Sequence, residues 1–129
     1  MSTIFTKIIN GELPCYKIHE CEKTFSFLSI DPIQLGHTLV VPKTEVDHFI
    51  DCDDESYMAV FKNAKLIATA IKKATNSKRI GTIIQGYEVP HFHYHLIPTF
   101  DPSDLSFSKA QRRSDDEMKQ IQQQILSYL

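Results

Sequence analysis

Apolar and polar residues change rhythm several times along this chain, and each rhythm predicts an element. Ile4 to Ile9 reads as a short helical turn that ends at Asn10-Gly11, with Pro14 beyond it. Cys15 to Glu20 and Lys23 to Leu28 read as two strands across the polar Glu20–Glu22 link; in the second, Phe25 and Phe27 alternate with Thr24 and Ser26. Ile30-Asp31-Pro32 predicts a turn, because the residue before proline is biased out of the helical region. Gly36 then opens a strand over His37 to Val41, closed by Pro42.

The acidic cluster Asp51 to Asp54 suits a helix N-terminus, where negative charge meets the positive end of the helix dipole. Met58, Phe61, Ala64, Ala68 and Ile71 follow at helical spacing, and Asn76-Ser77 stop the helix. Arg79 to Gln85 reads as a strand, Gly86-Tyr87-Glu88 as a link, and His91 to Thr99 as a strand bracketed by Pro90 and Pro98. After Phe100 the chain turns polar. Ser114 to Glu117 spells a capping box, and Met118, Ile121, Ile125 and Leu129 stripe a final helix. Residues 1–100 are expected to form the core, and 101–129 an extension with a helix in the same domain.

The chain has 129 residues, enough for one domain with one hydrophobic core. A formal net charge of -2 offers no broad basic field for nucleic acid. No apolar run approaches a membrane span, the first residues have no signal-peptide core, and Cys15, Cys21 and Cys52 form no CxxC pair. A cytoplasmic protein with reduced, buried thiols is expected. The four glycines spell neither a dinucleotide fingerprint nor a phosphate loop.

The chemistry concentrates in Pro90-His91-Phe92-His93-Tyr94-His95-Leu96-Ile97-Pro98. On a strand, His91, His93 and His95 share one face, while Phe92, Tyr94 and Leu96 share the other. Imidazole is a nucleophile at neutral pH without activation, a phosphate oxygen in the transition state needs N–H donors, and a leaving group needs a proton. One histidine as nucleophile with its neighbours as donors covers these needs. A metal held by two of the three is the other chemical reading.

His91-Phe92-His93-Tyr94-His95-Leu96-Ile97 resembles the signature of the histidine triad (HIT) family. The likeness extends to Ile4 through Pro14, to Phe27-Leu28-Ser29-Ile30-Asp31-Pro32, and to Gly36-His37-Thr38-Leu39-Val40-Val41-Pro42-Lys43, in order and spacing. It implies an α+β fold: a five-stranded antiparallel sheet with a main helix and a C-terminal helix, and a homodimer that joins two sheets. By the same likeness His93 matches the nucleophile that attacks the α-phosphate of a nucleotide and forms a nucleotidyl-histidine intermediate. His91, His95 and His37 match the supporting histidines. Ile4, Phe5, Ile8, Phe27 and Ile30 match the apolar lining of the base and ribose pocket.

The chain departs from the family pattern in four places. Many bacterial relatives hold a structural zinc with two cysteines, a histidine and a triad histidine; the matching positions here are Thr3, Thr6 and Glu45, so no metal is expected. The slot of a ribose-binding aspartate is Ser29, and Asp31, two residues on, either takes over or merely begins the Asp-Pro turn. The stretch before the triad is short, with Gln85 a stand-in for an asparagine; Glu88 either faces a leaving group, favouring a cationic amine, or is a solvated loop tip. The 101–129 tail lies outside the shared core.

The expected function is cleavage of an α-phosphate bond in a purine nucleotide conjugate of the phosphoramidate kind, without a cofactor. The alternatives are a dinucleoside polyphosphate hydrolase and a dimeric nucleotide-binding module with little turnover.

Overall fold

The computed structural model describes residues 2–129; Met1, inside the expected 1–100 core, lies outside the described residues. Helix α1 (Ile4–Ile9) starts where Thr3 caps it, the Thr3 hydroxyl accepting the Thr6 N–H at 3.1 Å. Strands β1 (Lys17–Glu20), β2 (Thr24–Leu28), β3 (Thr38–Pro42), β4 (Arg79–Ile84) and β5 (Tyr94–Thr99) form one antiparallel sheet in the order β1-β2-β3-β5-β4. Helix α2 (Asp54–Thr75) crosses from β3 to β4, and α3 (Asp115–Leu126) ends the fold.

The parity of each strand sorts its residues between two faces. Leu28, Val40 and Leu96 pack with Ile18 and with Val60, Ala64, Ile67 and Ile71 of α2. Phe25, Phe27, Leu39 and Val41 face the other way and form a second cluster with Phe5 of α1. Thr24 and Ser26 are buried as well, because α2 covers the face that their polarity assigns to solvent.

The ends of α2 follow local chemistry. Asp53 caps it by accepting the Ser56 N–H, and Asn76 terminates it in the left-handed conformation at φ 55°. Its buried stripe runs Val60, Ala64, Ile67, Ile71; Met58 lies about 200° around the helix from Val60 and is exposed. Ser114 and Glu117 close the capping box of α3, and Met118, Ile121 and Ile125 pack it against the core. Leu129 falls beyond the helix and off its stripe. The three cysteines are free and only half-buried.

The strand expected over His91 to Thr99 begins only at Tyr94. Before it the backbone bonds elsewhere: His91 N–H to the Val89 carbonyl at 2.8 Å, and Phe92 N–H to the Val46 carbonyl at 2.6 Å. Pro98, expected to end the strand, lies inside it opposite Ile80. Its missing N–H is tolerated because pairing with β3 has already stopped at Leu96. The other strands are shorter than their sequence patterns by a residue or two at the start or end, except that β3 includes Pro42.

Candidate active site

Between α1 and the sheet lies a groove of about 580 Å³. Its apolar walls come from Ile4, Phe5, Ile8, Phe27 and Ile30, and its polar groups include Ser29, Asp31, His37, His93 and His95. Ile4 and Ile30 are 54% and 60% exposed, an apolar rim with nothing of this chain laid over it. The groove thus gathers four elements that the sequence separates: α1, the end of β2 with its turn, β3 and β5.

Four histidines sit in or behind it, each almost wholly buried. Their hydrogen bonds fix which nitrogen carries a proton. The Ile33 N–H donates to His37 Nδ1 at 3.1 Å, so the proton of neutral His37 is on Nε2. That Nε2–H donates to His95 Nδ1 at 2.9 Å, which puts the His95 proton on its own Nε2. His93 Nδ1 donates to the His91 carbonyl at 2.6 Å, so His93 Nε2 is a bare lone pair. Among the described residues that nitrogen has no hydrogen-bond partner. The rings of His93 and His95 stand 4.9 Å apart, an acceptor beside a donor.

Burial holds all four rings neutral at pH 7. It pushes His95 down to about 3, with His37 and His93 adding to the effect, and His37 down to about 4. His93 and His91 are also lowered by burial; hydrogen bonds to carbonyls and the carboxylates of Glu88 and Glu45 oppose this. A neutral His95 is a hydrogen-bond donor, not an acid with a spare proton.

His91 does not line the groove. It is fully buried, donating from Nε2 to the Pro42 carbonyl at 2.9 Å and accepting on Nδ1 from the Thr3 hydroxyl at 2.8 Å. Thr6 Oγ1 and the Thr3 N–H both donate to Glu45 Oε1, at 2.7 and 2.8 Å. Thr3, Thr6, Glu45 and His91 therefore form a closed hydrogen-bonded cluster. This donor set does not fit zinc, because it has no thiolate and both His91 nitrogens are engaged. Among the described residues no group of three or more His, Cys, Asp or Glu is arranged to hold a metal.

Asp31 lines the groove, and its Oδ1 accepts from Arg112 Nε at 2.8 Å. Gln85 is not in the groove. It lines a smaller cavity of about 240 Å³, together with Asp47, His48, Phe49 and Tyr87. His93 borders both spaces. Glu88 and Val89, from the short loop before the triad, line the groove side. Gly86 makes that loop possible with φ +86°.

Two contributions escape the sequence patterns. Phe107 and Ala110, from the polar stretch after Phe100, line the groove, and the Phe107 ring meets His95 edge-on at 5.1 Å. A lone aromatic in a polar stretch was the available signal. His48, given no role from sequence, borders the smaller cavity.

A family model described as HIT domain matches residues 10–101. An uncharacterized HIT-like protein from Borreliella burgdorferi is 36% identical over 95% of this chain and 94% of its own length. A protein named adenosine 5'-monophosphoramidase from Saccharomyces cerevisiae is 33% identical over 98% of this chain and 82% of its own. A crystal structure of a Hit-like protein from Bartonella henselae, described as involved in cell-cycle regulation and as bearing an unknown ligand, aligns with TM-score 0.87 at 28% identity, covering 99% of this chain and 97% of the other.

Proposed function

This chain belongs to the HIT domain family, and on that premise we propose that it hydrolyses purine nucleoside 5'-phosphoramidates through a nucleotidyl adduct on His93. The observation that carries this reading is the hydrogen bond from His93 Nδ1 to the His91 carbonyl at 2.6 Å. It leaves Nε2 as a lone pair on a ring that lines the groove, and it keeps a proton on Nδ1 to share positive charge once Nε2 bonds to phosphorus.

The nucleoside lies in the groove, its base against Ile4, Phe5, Ile8, Phe27 and Ile30. His93 Nε2 attacks the α-phosphorus as the P–N bond breaks, and the amine leaves with a proton from solvent. His95 Nε2–H, oriented by His37, donates to a phosphoryl oxygen as charge builds there. Water then attacks phosphorus as the P–Nε2 bond breaks: its hydroxyl stays on phosphorus, its other proton goes to solvent, the nucleoside monophosphate is freed and His93 Nε2 regains its lone pair. Ser29 and Asp31 meet the ribose hydroxyls; His91 is a positioning residue that anchors His93. The activity for which the yeast relative is named supports the substrate class. A homodimer belongs to this reading, with β4, one of the two edge strands of the sheet, as the strand that would meet a second copy.

Phosphorus NMR of adenosine 5'-phosphoramidate mixed with the protein tests the proposal. Appearance of AMP with multiple turnovers is expected. Tight nucleotide binding without turnover would replace it with a binding module.

A further inference from the structure

The smaller cavity beside His93 is built differently from the groove. Its lining combines one carboxylate, Asp47, with the imidazole of His48, the rings of Phe49 and Tyr87 and the side-chain amide of Gln85. A carboxylate in one cavity with aromatic rings is a composition that can hold an organic ammonium, by charge and by cation–π attraction. Glu88 adds a second carboxylate on the groove side of the same short loop, and its charge acts on His93. Among the described residues no lysine or arginine lines either space. His93 is 7% exposed and borders both, with Nε2 unpartnered. A leaving group released at His93 therefore meets an open cavity whose one carboxylate is Asp47 and which has no lysine or arginine to receive a phosphate.

Resting on the hydrolase reading, we propose that this cavity is a leaving-group subsite for amines that carry a second, free ammonium, held by Asp47, Phe49 and Tyr87 and favoured by Glu88. Short aliphatic diamines belong to this class. Polyphosphate leaving groups are excluded from it, since their charge opposes both carboxylates.

The test uses three adenosine 5'-phosphoramidates of similar length, made from butane-1,4-diamine, pentan-1-amine and 4-aminobutyrate. Their Kd values are measured on His93→Ala, and their kcat/KM values on the wild type. Binding about tenfold tighter for the diamine than for the pentylamine conjugate is expected, with the carboxylate weakest. Asp47→Asn and Glu88→Gln, each in the His93→Ala background, should bring the diamine-to-pentylamine ratio towards one, and Phe49→Ala should do so in part. Equal Kd values, or an order that survives Asp47→Asn, would overturn the subsite. An ordered set of Kd values with no turnover by the wild type would keep the subsite and overturn the hydrolase reading alone.

Discussion

Nε2 of His37 donates to Nδ1 of His95 across 2.9 Å, and it does so because the Ile33 N–H already occupies the other nitrogen of His37. A backbone amide in the turn before β3 thereby sets the proton position on a ring of β5, the neighbouring strand. His37→Phe keeps the volume and loses the donor, so His95 can turn its lone pair to the substrate. Turnover of adenosine 5'-phosphoramidate is expected to fall about tenfold to hundredfold in kcat with a smaller change in KM. Steady-state kinetics on the variant checks this.

The same two rings make stability depend on pH. Unfolded imidazoles take up protons below their ordinary value of 6.5, while the folded ones resist until about 4 for His37 and about 3 for His95. The unfolded state thus binds more protons in that window, and stability falls as pH drops through it. Urea denaturation at steps between pH 7 and 4 should show the slope. The double variant His37→Gln/His95→Gln should flatten it.

Activity should keep its acidic limb below 6.5 for the same reason. Burial lowers the affinity of His93 for a proton, so the nucleophile stays unprotonated into mildly acidic solution. A pH profile of kcat/KM reads this; an inflection above 6.5 would contradict it.

Thr3 does two jobs, capping α1 and donating to His91. Thr3→Ala removes both bonds and should cost about 1–2 kcal/mol in stability, read from a denaturant midpoint. Because the Thr3, Thr6, Glu45 and His91 cluster is closed by hydrogen bonds, dialysis against EDTA should leave the wild-type melting temperature where it was.

Phe107 ties the C-terminal segment to the site. Its ring touches His95, and the segment is pinned by the Gln111 N–H to the Pro32 carbonyl at 3.2 Å and by Arg112 to Asp31. Phe107→Ala should raise the Kd for AMP several-fold, by about 1 kcal/mol of lost ring contact. Isothermal titration measures it.

The strands, the two long helices and the histidine row were legible because period and capping chemistry are local. Asp53, Asn76 and the Ser114–Glu117 box act within one turn of their own helix ends. Less local facts were hidden. The start of β5 at Tyr94 depends on Val46, to which Phe92 donates its N–H. The separation of Gln85 from the groove depends on how a short loop divides two cavities. The pairing of Asp31 with Arg112 spans most of the chain, and no periodicity announces it. His91 shares a face with His93 in the sequence pattern, yet its role is set by partners at Thr3 and Pro42.

Hydrolysis through His93 requires a bond from its Nε2 to phosphorus. Intact-protein mass spectrometry after rapid quenching with adenosine 5'-phosphoramidate tests it most directly. A transient gain of one adenylyl group on the wild type, mapped to His93 and absent from His93→Ala, is expected. Release of AMP by His93→Ala at the wild-type rate would contradict it.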